Sequence, residues 1–292
     1  MAADDVPPRD ASPAAVRADH IAAEERIVRL TEEEAAAVDG ARIPSAVVSH
    51  EIIRRHGLVE LNRSSLALMW SGLTAGLVIG VSVIAKAILQ QPPIDGTAKL
   101  LLGGLGYSLG FVLVVLGRMQ LFTESTITAV LPVATHPSRK NLRDLARLWA
   151  IVFLANMVGT FLFALGATHG GLSEELRAGM VEVSRSILHF SFSGAVAAGV
   201  PAGFLIAALV WIQSRLDGER LVAVVLLTGL IDVGHFAHVV AGSAEAWILT
   251  LTGEESLGAA LSFVAAAFLG NVAGGSLLFS LLAHAQVRSD QG

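Results

Sequence analysis

Six stretches of this chain stay apolar for about as long as a membrane is thick. They are Leu66–Leu89, Leu100–Pro132, Leu145–Thr168, Phe190–Gln213, Leu221–Thr250 and Leu257–Val287. Crossing roughly 30 Å of hydrocarbon takes about 20 helical residues. The pattern therefore predicts an all-α membrane protein with six transmembrane helices over residues 66–287. The second, fifth and sixth stretches exceed a straight span, and polar residues interrupt the second and fifth. Those two are expected to be broken helices.

Lys and Arg near the spans set the orientation. Arg54, Arg55, Arg63, Arg139, Lys140, Arg143, Arg147, Arg215, Arg220 and Arg288 fall on one side, and Lys99, Arg177 and Arg185 on the other. The positive-inside rule then places both termini in the cytoplasm, with residues 288–292 as a short C-terminal end. The two halves also repeat. Ala155-Asn156-x-x-Gly159-Thr160 in span three matches Gly270-Asn271-x-x-Gly274-Gly275 in span six, and Ser71-Gly72 with Gly76 in span one is paired with Ser193-Gly194 with Gly199 in span four. Three spans per unit force the second unit to enter the membrane from the other side. The expected architecture is a pair of inverted three-helix repeats enclosing a pathway.

The spans are preceded by a different kind of sequence. Residues 1–45 carry acids and prolines without an apolar run, which argues against a secretory leader and for a disordered, acidic cytoplasmic tail starting at Met1. A solvated helix is expected over residues 21–40. Over residues 46–65, Val47, Val48, Ile52, Leu58, Val59 and Leu61 recur among charges, as in an amphipathic helix lying at the membrane surface; a plain connector is the alternative.

Composition narrows the function classes. The chain is 53% apolar and 15% charged, against about 25% charged in soluble domains. The formal charge of −5 and the absence of cysteine remove a nucleic-acid partner and a disulfide framework. The expected surroundings are the lipid bilayer of the cell's inner membrane.

Candidate chemistry lies with ionisable side chains at membrane depth, each costing about 2.5–3.5 kcal/mol to insert. Lys86, near the end of span one, is expected to snorkel to the surface. Span two holds Arg118 and Glu124 around Gln120-Leu121-Phe122-Thr123-Glu124-Ser125-Thr126, where acid and base either neutralise each other or serve the pathway. Span five holds Asp232, His235, His238 and Glu245. On a continuous helix Asp232, His235 and His238 would share one face, a spacing that fits either structural histidines or a metal. No metal and no cofactor is assigned, because the spacing lacks a zinc signature.

Taken together, Leu121-Phe122-Thr123-x-Ser125-Thr126, Asn156-x-x-Gly159, Phe236-x-His238 and Gly270-Asn271-x-x-Gly274-Gly275 resemble the formate/nitrite transporter family over residues from about Trp70 to Ala285. The resemblance implies an aquaporin-like protomer in a homopentamer, each protomer with its own pore for small monovalent anions. It implies that Leu121 and Phe122 help form a cytoplasmic constriction, that Thr123 is the polar residue of the break, and that His238 is the central pore histidine, with Phe236 beside it. Asn156, Asn271, Glu124, Arg118, Asp232, His235 and Glu245 are expected to support the pore. The sequence departs from the family at Gly203, where a pore asparagine is expected, at Ile187, where a lysine near the outer mouth is expected, and at Glu124, where a small residue is expected. With its long tail it reads as a divergent member.

Physics suggests a mechanism. Carrying a bare carboxylate-sized anion into a low dielectric has an idealised cost of order 20 kcal/mol, which the neutral acid avoids. Histidine titrates close enough to neutrality to donate the proton and recover it. The expectation is transport, not catalysis, with His238 as donor and Thr123 holding the substrate. The rival readings are a proton-coupled secondary carrier of the same anions and a metal-dependent membrane enzyme built on Asp232, His235, His238 and Glu245.

Overall fold

A computed structural model of the chain describes residues 45–91, 95–216 and 218–291. The expected acidic tail and the helix over residues 21–40 lie outside them. The described residues form helices and connecting turns, without a β-strand among them. Five helical segments are long and apolar enough to cross a membrane: Ser65–Gln90, Gly96–Leu116, Arg139–His169, Phe192–Gln213 and Leu257–Asp290.

The first helix, α1 (Ala46–Leu61), starts where Ser45 caps the Val48 amide at 3.3 Å. Its buried face is Ser49, His50, Ile53, Gly57 and Leu61. Of the apolar set read from sequence, Val48 and Val59 are 46% and 67% exposed. At Gly57 an added Cβ would strike the Thr128 carbonyl and Pro132, so α1 follows this glycine onto the protein. Arg147 donates to the Leu61 carbonyl at 2.7 Å, Arg215 donates to Ser49 at 2.9 Å, and the rings of His50 and His284 bond at 3.0 Å. Burial and the neighbouring His284 hold the His50 imidazole below its ordinary pKa.

The chain continues as α2 (Ser65–Ile79), α3 (Val81–Gln90), α4 (Gly96–Leu116), α5 (Phe122–Thr128), α6 (Val130–Thr135), α7 (Arg139–His169) and α8 (Glu174–Ser184). A 3-10 turn (Arg185–His189) then leads to α9 (Phe192–Gln213), α10 (Arg220–Val233), α11 (Val239–Leu251) and α12 (Leu257–Val272). A π-helical segment (Ala273–Ser280) joins α12 to α13 (Leu281–Gln291), which packs back against α1.

Helices α4 and α10 stop in the same way. Their last turns close with Met119 N–H on the Val114 carbonyl at 3.0 Å and Phe236 N–H on the Ile231 carbonyl at 2.9 Å. The residues that reverse the chain, Arg118 and His235, both have φ of 51°. This is a Schellman end, with the left-handed position filled by a non-glycine residue at a cost of about 1–2 kcal/mol. Both chains then extend, and the next helix begins after Leu121 (φ −97°, ψ 126°) or His238 (φ −99°, ψ 122°).

Each interruption strands backbone groups away from helical partners, and one buried asparagine collects them. Asn156 accepts from the Phe122 amide at 2.9 Å and donates to the carbonyls of Gly72 at 2.8 Å and Gln120 at 3.0 Å. Asn271 accepts from the Val239 amide at 2.8 Å and donates to Gly199 at 2.9 Å and Ala237 at 2.8 Å. The counterpart of Gly72 is thus Gly199, not Gly194 as the Ser-Gly pairing suggested. Glycine pairs bring the carrying helices close: a Cβ on Gly159 would lie 2.8 Å from Gly76 Cα, and one on Gly270 would lie 2.7 Å from Gly199 Cα.

Replacing either asparagine by leucine leaves three buried backbone groups without partners, each worth about 1–3 kcal/mol. Asn156→Leu and Asn271→Leu are expected to lower unfolding stability in detergent by at least about 3 kcal/mol. Thermal unfolding within 1 °C of the parent protein would show that the amides carry no such role.

Candidate functional site

The interruptions after α4 and α10 deliver their first helical residues to one place. Thr123, one residue into α5, is fully buried, and its hydroxyl lies 2.9 Å from His238 Nε2. His238, 1% exposed, is the N-cap of α11, and its Nδ1 accepts the Ala241 amide at 3.2 Å. That bond fixes the tautomer. With Nδ1 as acceptor the ring hydrogen sits on Nε2, which donates to Thr123 and leaves the threonine hydroxyl proton free. Phe111 meets the imidazole edge-on, with ring centroids 4.9 Å apart.

His238 lines a cavity of about 30 Å³ that also touches Tyr107, Asp232, His235, Phe236 and Glu245. This is room for a species of a few heavy atoms. A neighbouring pocket of about 110 Å³ shares Ile187, Phe190 and Phe263 with it.

Not every expected residue joins this site. Leu121, Phe122 and Thr123 are fully buried but do not line the cavity, and Thr123 reaches it only through His238; Phe122 stacks on Phe268 at 5.0 Å and meets Phe153 and Trp149 edge-on. Arg118 is exposed, and no ion pair links it to Glu124 among the described residues. The single helical face expected for Asp232, His235 and His238 does not exist, because α10 ends at Val233 and α11 begins at Val239. No group of three metal-ligating side chains forms among the described residues. Gly203 packs on the backbone of Asn271, where an added Cβ would clash, so this position has no room for a pore side chain. Ile187 is buried and lines the cavity.

Lys86 reverses the expectation that it snorkels. It is 7% exposed, and its ammonium lies 2.5 Å from the Asp232 carboxylate. Gly106 makes this possible: a Cβ there would lie 2.6 Å from Lys86 Cα, so α4 presses on α3 and holds the lysine inside. A base and an acid in separate spans are the one signal for such a pair in the sequence, and nothing there matches them to each other. Glu60 was also missed. It lies in α1, yet it accepts from Gln120 at 3.1 Å and Thr128 at 2.8 Å.

Buried hydrogen-bonding side chains meeting where two interrupted spans converge, beside a cavity sized for a small solute, define a membrane pore or carrier more readily than a catalytic centre. Residues 47–285 match the formate/nitrite transporter family, and the chain belongs to it. It is 38% identical to "Inner membrane protein YfdC" of Escherichia coli over 256 residues, covering 87% of this chain and 83% of that protein. It is 24% identical to "Formate channel FocA" of Escherichia coli, covering 82% and 92% of the two chains. Among solved structures, an "FNT family ion channel" superposes with a TM-score of 0.67 at 20% identity, covering 82% of this chain and 98% of that one. A "Pentameric formate channel with formate bound" superposes with a TM-score of 0.62 at 21% identity, covering 76% and 97%.

The Lys86–Asp232 pair yields a stability prediction. Removing one partner leaves a buried unpaired charge, which typically costs 3–5 kcal/mol (about that range). Lys86→Met is therefore expected to destabilise strongly, and the double variant K86M/D232L to recover most of the loss. Chemical denaturation in detergent compares them, and equal stability of the single and double variants would contradict the pairing.

Proposed function

We propose that the chain forms a pore for small monovalent anions of weak acids, formate and nitrite being the type cases, across the cell's inner membrane. The observation that carries this reading is the fully buried Thr123–His238 hydrogen bond at the edge of a cavity of about 30 Å³. Relatives that include formate channels support the substrate class. The protomer is read as six spans in two inverted repeats, the second and fifth broken, assembled as a homopentamer with one pore in each protomer. Both termini face the cytoplasm, with the acidic tail ahead of α1 on that side.

In this reading the substrate reaches Thr123 as an anion or a weakly hydrated acid and accepts a hydrogen bond from the threonine hydroxyl. The excess proton comes from His238. Donation from Nε2 leaves a neutral ring only if Nδ1 holds a hydrogen at that moment, so the arriving proton displaces the Ala241 amide from Nδ1. Imidazolium and anion then become imidazole and neutral acid, and the neutral species crosses the apolar stretch without the penalty of a buried charge. On the far side the acid returns its proton to water.

His238→Asn tests the donor role cleanly, because asparagine retains an oxygen to cap α11 but cannot titrate. In proteoliposomes given formate, nitrite, acetate, lactate or hydrosulfide, the variant is expected to lose about 100-fold of the parent's uptake, the low end for a positioned proton donor. His238→Phe should be at least as defective. Uptake at the parent's rate and with its pH profile in either variant would rule the donor role out.

A further inference from the structure

Beyond His238, the cavity holds an acid that the pore reading does not use. Glu245 stands on α11 two turns past His238, about 10 Å along the helix. It is 5% exposed, it lines the same cavity, and its carboxylate takes no hydrogen bond from any described residue. The positive charge within its reach is Lys86, and that ammonium is bonded to Asp232. Tyr107 on α4 and His235 after α10 complete the titratable lining. Other elements packed on α11 carry Arg177 of α8, which lies 3.9 Å from Glu174, the exposed His189 of the 3-10 turn and the acid Glu124 of α5, and none of them bonds Glu245. The membrane-deep parts of α7 and α12 carry no base, and Arg185 beyond α8 is held by Glu182 and Glu254. With Lys86 and Asp232 cancelling, an ionised Glu245 leaves the cavity with one net negative charge, and a protonated Glu245 leaves it neutral.

We propose that Glu245 is the specificity-determining residue of this pore, an unpaired carboxylate that holds the bare anion back from the cavity while it is ionised and lets the anion reach His238 once it is protonated. The assignment rests on the reading above that a weak acid passes His238. It makes this cavity unlike a vestibule that gathers anions with a free cation: the nearby Lys86 ammonium is spent on Asp232. A low-dielectric wall sharpens the effect, because a single charge at this range changes anion occupancy by about tenfold or more. The proton therefore decides entry at Glu245 as well as passage at His238, and anion uptake falls as Glu245 ionises.

Two variants remove the net charge by different routes. Glu245→Gln deletes the carboxylate, while Asp232→Asn frees the Lys86 ammonium to neutralise Glu245 in place. Labelled formate uptake into proteoliposomes is measured at pH 5.5 and pH 8, and the ratio of the two rates is compared. Both variants are expected to lower that ratio about tenfold relative to the parent, since formate anion now enters at pH 8. If E245Q does not assemble, D232N reports the same loss of charge with Glu245 intact. A parental ratio in the variants, or a change confined to E245Q, would overturn the assignment. Parent protein that takes up neither formate nor nitrite at any pH would instead remove the weak-acid reading on which it rests.

Discussion

A backbone that leaves helical geometry at membrane depth exposes amides and carbonyls where there is no water to satisfy them. Everything at the centre of this protein depends on how that need is met. Two asparagines, Asn156 and Asn271, each take one amide and two carbonyls, and each ties a non-helical stretch to a glycine carbonyl on a neighbouring helix. The carboxamide suits the task because it offers an acceptor and two donors on one rigid plane. With both stretches fixed, the residues just inside the following helices have set positions, and Thr123 and His238 fall within a hydrogen bond of each other.

The same scarcity of water governs the charges. Lys86 and Asp232 are tolerated because each is the other's counter-ion, on helices that Gly106 lets come together. Glu245 lines the adjoining cavity with no such partner among the described residues. In the proposed pore, hydrogen bonding at His238 and net charge near Glu245 are separate controls on one small space, the first acting on the proton and the second on the ion.

The sequence carried a good deal of this. Apolar length marked five of the six expected spans, the fifth being made of shorter helices, the twin Asn-x-x-Gly motifs singled out two residues that turn out to be buried and hydrogen-bonded, and the joint motif set marked the family, which the match over residues 47–285 bears out. Other readings went astray for identifiable reasons. Asp232, His235 and His238 were placed on one face by assuming helical spacing, and a left-handed His235 voids that assumption. Lys86 read as a snorkelling residue because snorkelling needs only a nearby surface, whereas burial needs a partner from a distant span. Gly203 read as a missing pore residue, although it is a contact between helix backbones.

What the chain by itself determined is therefore what depends on local order along it: long apolar runs that oil favours, polar residues that interrupt them, and small residues at helical intervals. Those follow from solvent transfer and periodicity, which act on neighbours in sequence. Only the folded arrangement decided that Thr123 meets His238, that Lys86 belongs to Asp232, and that Glu245 is left alone. Each of those depends on which helices touch and at what depth, a matter of close packing between segments more than a hundred residues apart in the chain.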